Sequence, residues 1–273
     1  MALDSRFLPE TTRSLFDRLI EEPLMRGMTL VGGSALALQI GHRMSEDLDF
    51  AVFGPKIPAA RIHALMAGLE KEGCVVSLLT PQSSIERFKI NTGRRLLNYA
   101  RAYVADGAKI TFYARGAGDG VTKEQMDWLA SAPRAHSGTG FDVLGVEGIF
   151  AMKTLLLADR ARSRDLFDLM ALIQGHGYTL DQALGFVKKL APIERRDIEW
   201  QKAVMTGAIP LDPEDEGFES IGVKLPMEDI YAFFEEQVAG LERSLARAAI
   251  GRAKARKKDL GSQRYRSSWP TTQ

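Results

Sequence analysis

Three features of the 273-residue sequence predict an α+β protein, with a mixed sheet and flanking helices in the N-terminal half and a helical C-terminal half. Short apolar runs alternate with helix-forming stretches as far as Arg115, and two of them flank Asp106-Gly107, a pair suited to the positive φ angles of a tight hairpin. From Val146 onward apolar residues recur at spacings of three and four. No segment repeats at a fixed period, which argues against a solenoid or propeller.

The spacing predicts a first helix over 11–22, with Leu15, Leu19 and Ile20 inward, Thr11 or Thr12 as its cap and Pro23 as its stop. Met28–Val31 reads as a strand running into Gly32-Gly33, and Ser34–Ile40 as a helix stopped by Gly41. Asp47–Phe53 is a strand, Pro58–Glu72 a helix closed by Gly73, and Cys74–Leu79 another strand. Ile85–Ile90 and a turn at Asn91–Gly93 open a hairpin ladder that continues through Leu96–Val104 and Ala108–Tyr113. Gly116–Gly120 reads as loop and 121–142 as irregular. Helices follow at 146–158, 164–174, 179–190, 194–204 and 227–249, with a Pro-, Gly- and acid-rich loop at 209–222. The implied organisation is an α/β domain over 1–120, an irregular connection over 121–142, a helical domain over 143–250 and a basic, flexible tail over 251–273.

With 26% charged and 45% hydrophobic residues, the composition is that of a soluble globular protein and excludes a disordered or collagen-like chain. No apolar run approaches the roughly 18 residues of a membrane span, and the N-terminus lacks the apolar core of a secretory signal, so a cytoplasmic location is expected. The single cysteine, Cys74, allows no internal disulfide, and the four histidines lack zinc spacing. The net charge of +1 divides into +6 for Gly251–Gln273 and −5 for the rest. Such a tail is ordinarily a solvated terminus; the sharper alternative is an arm for nucleic acid.

The first chemical constellation is Gly32-Gly33-Ser34 followed by Asp47 and Asp49. Glycines at a strand end let backbone approach a ligand, and a helix N-terminus offers unpaired N–H groups to a phosphate. Ser34 could cap that helix or donate its hydroxyl to the phosphate, and Arg43 lies between the two motifs. Asp47 and Asp49 leave one face of a strand, and paired carboxylates suit Mg²⁺, or Mn²⁺, shared with substrate phosphate. Alone, a glycine pair is ordinarily a tight turn and an Asp-x-Asp a solvated strand end; in this order and this close they outline a metal–nucleotide site. The segment is neither a Walker A loop nor a G-x-G-x-x-G fingerprint. The second constellation is Lys153, on an apolar stripe with Val146, Ile149, Phe150 and Leu157, facing Asp165 and Asp168 on the next helix. It reads either as an interhelical salt-bridge cluster or as a second wall of the anion site.

These residues resemble a known family. Val31-Gly32-Gly33-Ser34-Ala35-Leu36-Ala37-Leu38, then Gly41-His42-Arg43-x-Ser45-x-Asp47-Leu48-Asp49-Phe50, is similar to the nucleotidyltransferase AbiEii/AbiGii toxins of the polymerase-β-like superfamily. Met152-Lys153 and Ser163-Arg164-Asp165-Leu166-Phe167-Asp168-Leu169 are similar to that family's helical signature. The resemblance implies a nucleotidyltransferase fold and a Mg²⁺-dependent toxin of a type IV toxin–antitoxin or abortive-infection system. It implies transfer from an NTP to an RNA end or a protein hydroxyl, and a winged-helix antitoxin as partner. By the same resemblance, Gly32 and Ser34 would hold the triphosphate, Asp47 and Asp49 would ligate metal, and Lys153 with Asp165 or Asp168 would take the helical functional positions; Gly33 and Arg43 beside them are further candidate phosphate-binding residues. One departure stands out: the hairpin strand carries Thr111 where members commonly have a third carboxylate. Either Asp106, Asp119, Asp165 or Asp168 substitutes, or the chain is a catalytically weakened nucleotide-binding or partner-binding module.

Overall fold

The computed structural model describes residues 3–114 and 122–266, with 253–266 through the backbone alone. Seven strands form one mixed sheet in the order β3-β4-β5-β2-β1-β7-β6. Here β1 is Thr29–Val31, β2 Leu48–Val52, β3 Val76–Leu78, β4 Ala100–Ala105, β5 Ala108–Ala114, β6 Arg134–Ser137 and β7 Asp142–Leu144. The β4–β5 hairpin turns as the sequence predicts, with φ of +48° at Asp106 and +87° at Gly107. The central strands β1, β2 and β5 are buried on one face by Leu30, Phe50 and Phe112, all fully enclosed. Phe50 packs on Phe112 with ring centroids 5.6 Å apart and meets Phe141 edge-on at 4.9 Å.

Ten α-helices accompany the sheet among the described residues. Those nearest the site are α2 (Gly32–Ile40), α6 (Val146–Leu156) and α7 (Ser163–Gly175). One hydrophobic cluster runs from Leu30 and Phe50 in the sheet to Phe150, Leu169 and Phe234 in the helices, so both halves of the chain share a core. No described helix is long and apolar enough to cross a membrane.

Several expectations are corrected. Ile85–Ile90 belongs not to a hairpin strand but to α4 (Gln82–Thr92), which starts after Pro81 and stops at Gly93, φ +68°. Its Glu, Arg and Lys are good helix formers, and they outweigh its two isoleucines. The stretch 121–142 is not irregular: it supplies α5 (Lys123–Ser131), which starts with a capping box at Thr122 and Gln125, then β6 and β7. β7 runs parallel to β1, with Thr29 opposite Asp142 and Leu30 opposite Val143. The first helix, α1 (Glu10–Leu19), is not capped by Thr11 or Thr12; Thr12 is buried and its hydroxyl donates to the Glu46 carbonyl at 2.7 Å. The last helix, α10, runs over Met227–Arg266, so the segment read as tail continues it as far as Arg266.

Candidate active site

Strand register builds the site. Asp49 on β2 lies opposite Val31 on β1 and Thr111 on β5, and Thr111 lies opposite Ala102 on β4. Val31 leads straight into Gly32, whose φ of +72° turns the chain over the Asp49 carboxylate. A Cβ on Gly32 would stand 3.2 Å from Asp49 Oδ2, so glycine meets both the backbone and the space requirement. At Gly33 a Cβ would stand 2.6 Å from Arg43 Nη2 and 2.9 Å from Ser45 Oγ. The N-terminus of α2 therefore opens directly beside the two aspartates.

Burial and the neighbouring Asp47 charge raise the pKa of Asp49, while Lys109, the Thr111 hydroxyl and Lys153 pull it back down. Asp47 is more open and holds the Lys109 ammonium at 2.7 Å. The Asp49 charge is thus only partly compensated, a condition that a bound cation would relieve further. Two carboxylates with this spacing fit one hard divalent ion whose other ligands are phosphate and water. Among the described residues no group of three or more His, Cys, Asp or Glu side chains is arranged to hold a metal. Thr111 stands in the row where a third carboxylate would complete the set. Of the alternative acids, Asp106 sits at the hairpin turn, where it accepts from the Val75 N–H at 2.8 Å, and Asp119 lies outside the described residues.

Ser34 is 1% exposed. Its hydroxyl faces the Ser45 hydroxyl at 3.0 Å and donates to the Asp47 carbonyl, so it fixes the approach to β2 from below. Arg43 is likewise buried and clamps Asp168 with Nε at 2.6 Å and Nη2 at 3.0 Å. Lys153 Nζ lies 2.6 Å from both Asp165 Oδ1 and Asp168 Oδ2. Arg160 Nε reaches Asp165 at 2.8 Å. His42 Nε2 adds a 2.7 Å hydrogen bond to Asp168; burial lowers the imidazole's pKa, so it acts as a neutral donor. These cations hold Asp165 below the usual carboxylate range and Asp168 well below it. The two readings of Lys153 are therefore not exclusive. The residue is locked in an interhelical ion cluster, and that cluster forms a wall of the cleft. Two carboxylates against Lys153, Arg43 and Arg160 leave one positive charge over, facing Asp49.

Two cavities of about 300 Å³ each meet at Gly33, Asp49, Lys153 and Arg160. One is largely apolar, walled by Ala51, Tyr113, Met126, Leu129 and Met152. The other is strongly charged and takes in Asp47, Lys109, Arg162 and Arg164. Lys109, Arg160, Arg162 and Arg164 line the charged cavity as well, and the run of arginines over 160–164 is the signal in the sequence for three of them.

A glycine turn over an Asp-x-Asp strand, at the meeting of an apolar and a charged chamber, defines a nucleotidyltransferase-type scaffold. The sequence profile described as "Nucleotidyl transferase AbiEii toxin, Type IV TA system" matches residues 13–253, and the chain belongs to that family. A protein of Aquifex aeolicus (strain VF5), aq_aa25, described as uncharacterized, is 24% identical over 233 residues, 85% of this chain and 97% of its own length. A crystal structure from H. pylori, provisionally named a nucleotidyltransferase, is similar at a TM-score of 0.43 and 17% identity, covering 87% of this chain and 96% of its own.

Proposed function

We propose that the protein is a Mg²⁺-dependent nucleotidyltransferase toxin that moves a nucleoside monophosphate from an NTP to an RNA end. The observation that carries this reading is the junction of the two chambers at Asp49. There an apolar pocket suited to a nucleobase adjoins a charged one suited to a triphosphate. Tyr113, Met126 and Met152 would flank the base, while the Gly33 N–H, Arg160 and Lys109 would orient the phosphates. Asp47 and Asp49 would hold the ion, which supplies charge neutralisation at the phosphates. Lys153, Asp165, Asp168 and Arg43 would keep the wall rigid rather than touch the reacting atoms. The acceptor hydroxyl oxygen forms a bond to the α-phosphorus as the bond to the bridging oxygen breaks. Pyrophosphate leaves, and the hydroxyl proton passes to water in the charged chamber.

Such an activity belongs in the cytoplasm, with a winged-helix antitoxin as its restraint and abortive infection as one setting. A protein hydroxyl is the alternative acceptor. A second reading, a nucleotide-binding module with weakened catalysis, is favoured by one observation, Thr111 beside Asp49.

The test incubates the protein with each α-³²P-labelled NTP, Mg²⁺, total RNA and total protein. Label should enter RNA, and Asp47→Asn and Asp49→Asn should each lower transfer by at least about a hundredfold, the scale on which loss of electrostatic stabilisation acts. Asp49→Asn should hold or raise the melting temperature above about pH 4, because it removes a half-buried charge whose pKa is already raised. Nucleotide binding without transfer would select the second reading.

A further inference from the structure

Helix α4 and the chain that follows it take no part in the cleft, yet their composition is unusual. Residues 82–101 contain Arg87, Lys89, Arg94, Arg95 and Arg101 against one acid, Glu86, in a chain whose net charge is only +1. None of the five cations is in an ion pair with a described residue. The four from Arg87 to Arg95 are exposed. The helix itself has no buried residue, and Ile90 is 82% exposed. An isolated helix of that length is marginal in water and draws its stability from packing.

A groove of about 470 Å³ separates α4 from the segment below it. Lys89, Arg95 and Arg101 line it, with the amides of Gln82 and Asn98 and the carboxylate of Glu86 between them. Beside it the Arg94 guanidinium stands 5.3 Å from the Phe88 ring and 4.8 Å from the Tyr99 ring, and Lys56 adds a second cation 5.9 Å from Tyr99. A guanidinium held between rings is fixed in position before any ligand arrives, so less entropy is lost on binding. The register connects this face to the cleft. Ala100, next to Tyr99 and Arg101, pairs with Tyr113, which walls the apolar chamber. Ala102 is two strands from Asp49 in the same row, roughly 10 Å at ordinary strand spacing.

We propose that α4, its groove and the cations Arg87, Lys89, Arg94, Arg95 and Arg101 form a docking surface for the phosphodiester backbone of single-stranded RNA. The bound strand would run past Tyr113 and deliver its end to Asp49. The partner is RNA rather than an acidic protein because guanidinium and ammonium groups without a carboxylate partner among the described residues, set beside the Phe88 and Tyr99 rings, suit a chain of phosphates and bases. The proposal rests on the reading of RNA as acceptor.

Binding of a fluorescein-labelled 20-nucleotide single-stranded RNA, followed by anisotropy without NTP or Mg²⁺ from 50 to 300 mM NaCl, tests it. The full-length triple variant Arg87→Gln/Lys89→Gln/Arg95→Gln changes only exposed groups. It should bind at least about tenfold more weakly, and its slope of log K against log salt should fall by about 2, three contacts at about 0.7 each. A matched triple on α10, Arg243→Gln/Arg247→Gln/Arg252→Gln, should leave most of the affinity and slope intact. An unchanged slope in the α4 variant, or loss confined to the α10 variant, overturns the proposal and leaves the face to a protein partner. If the parent binds through α4 but transfers no label, the acceptor reading fails and the docking surface stands.

Discussion

At the scale of single residues, Thr111 is the informative position. It shares a row with Asp49 and its hydroxyl helps keep that carboxylate charged, but a hydroxyl brings no charge of its own to a cation. Thr111→Asp should raise Mg²⁺ affinity by about tenfold, or roughly 1.4 kcal/mol, in a calorimetric titration. Unchanged affinity would mean that the two native aspartates already saturate the ion's protein ligands. Asp47, Asp49 and Lys153 were legible in the sequence because each stands in a local pattern, a two-residue strand spacing or a helical stripe. Ser34 illustrates the limit of such patterns. Its neighbours along the chain suggested a phosphate ligand, but its hydroxyl is buried against the Asp47 carbonyl. Arg160 and Lys109 were not legible as site residues, because what makes them so is a contact with Asp165 or Asp47 that no periodicity encodes.

At the scale of elements, the turn from β1 into α2 is the most tightly constrained. Gly33→Ala puts a Cβ against Arg43 Nη2, and Arg43 is held in place by Asp168. The substitution should cost about 3 kcal/mol in urea unfolding, the scale of a disturbed buried ion pair. Gly68→Ala, inside α3 (Ala59–Lys71) with nothing within 4 Å of the new methyl, should instead stabilise by about 0.5–1 kcal/mol. The long helices were legible because their apolar residues repeat on one face and capping residues mark their ends, as at Thr179 before α8 (Leu180–Leu190). The strands β6 and β7 were not. They span four and three residues, and what makes β7 a strand is pairing with β1, more than a hundred residues earlier.

At the scale of the molecule, the Arg43–Asp168–Lys153–Asp165 cluster ties the first half of the chain to the second. Both carboxylates have lowered pKa values, so their contribution to stability is complete above the unfolded value near 3.9 and is lost as pH falls through the folded values. Unfolding free energy measured from pH 7 down to pH 3 should drop most steeply below about pH 4. Asp168→Asn should lower it by about 3–5 kcal/mol at pH 7 and flatten that drop. The parallel pairing of β7 with β1 has a further consequence for how the gene can be cut. A fragment ending at residue 120 retains the glycine turn and both Asp47 and Asp49 but leaves the outer edge of β1 bare, a template for adding a stray strand from another molecule. A fragment beginning at Thr122 carries the strand that fills that edge. The two pieces are therefore natural partners for split-protein complementation, and the reassembled cleft would form only when both are expressed together.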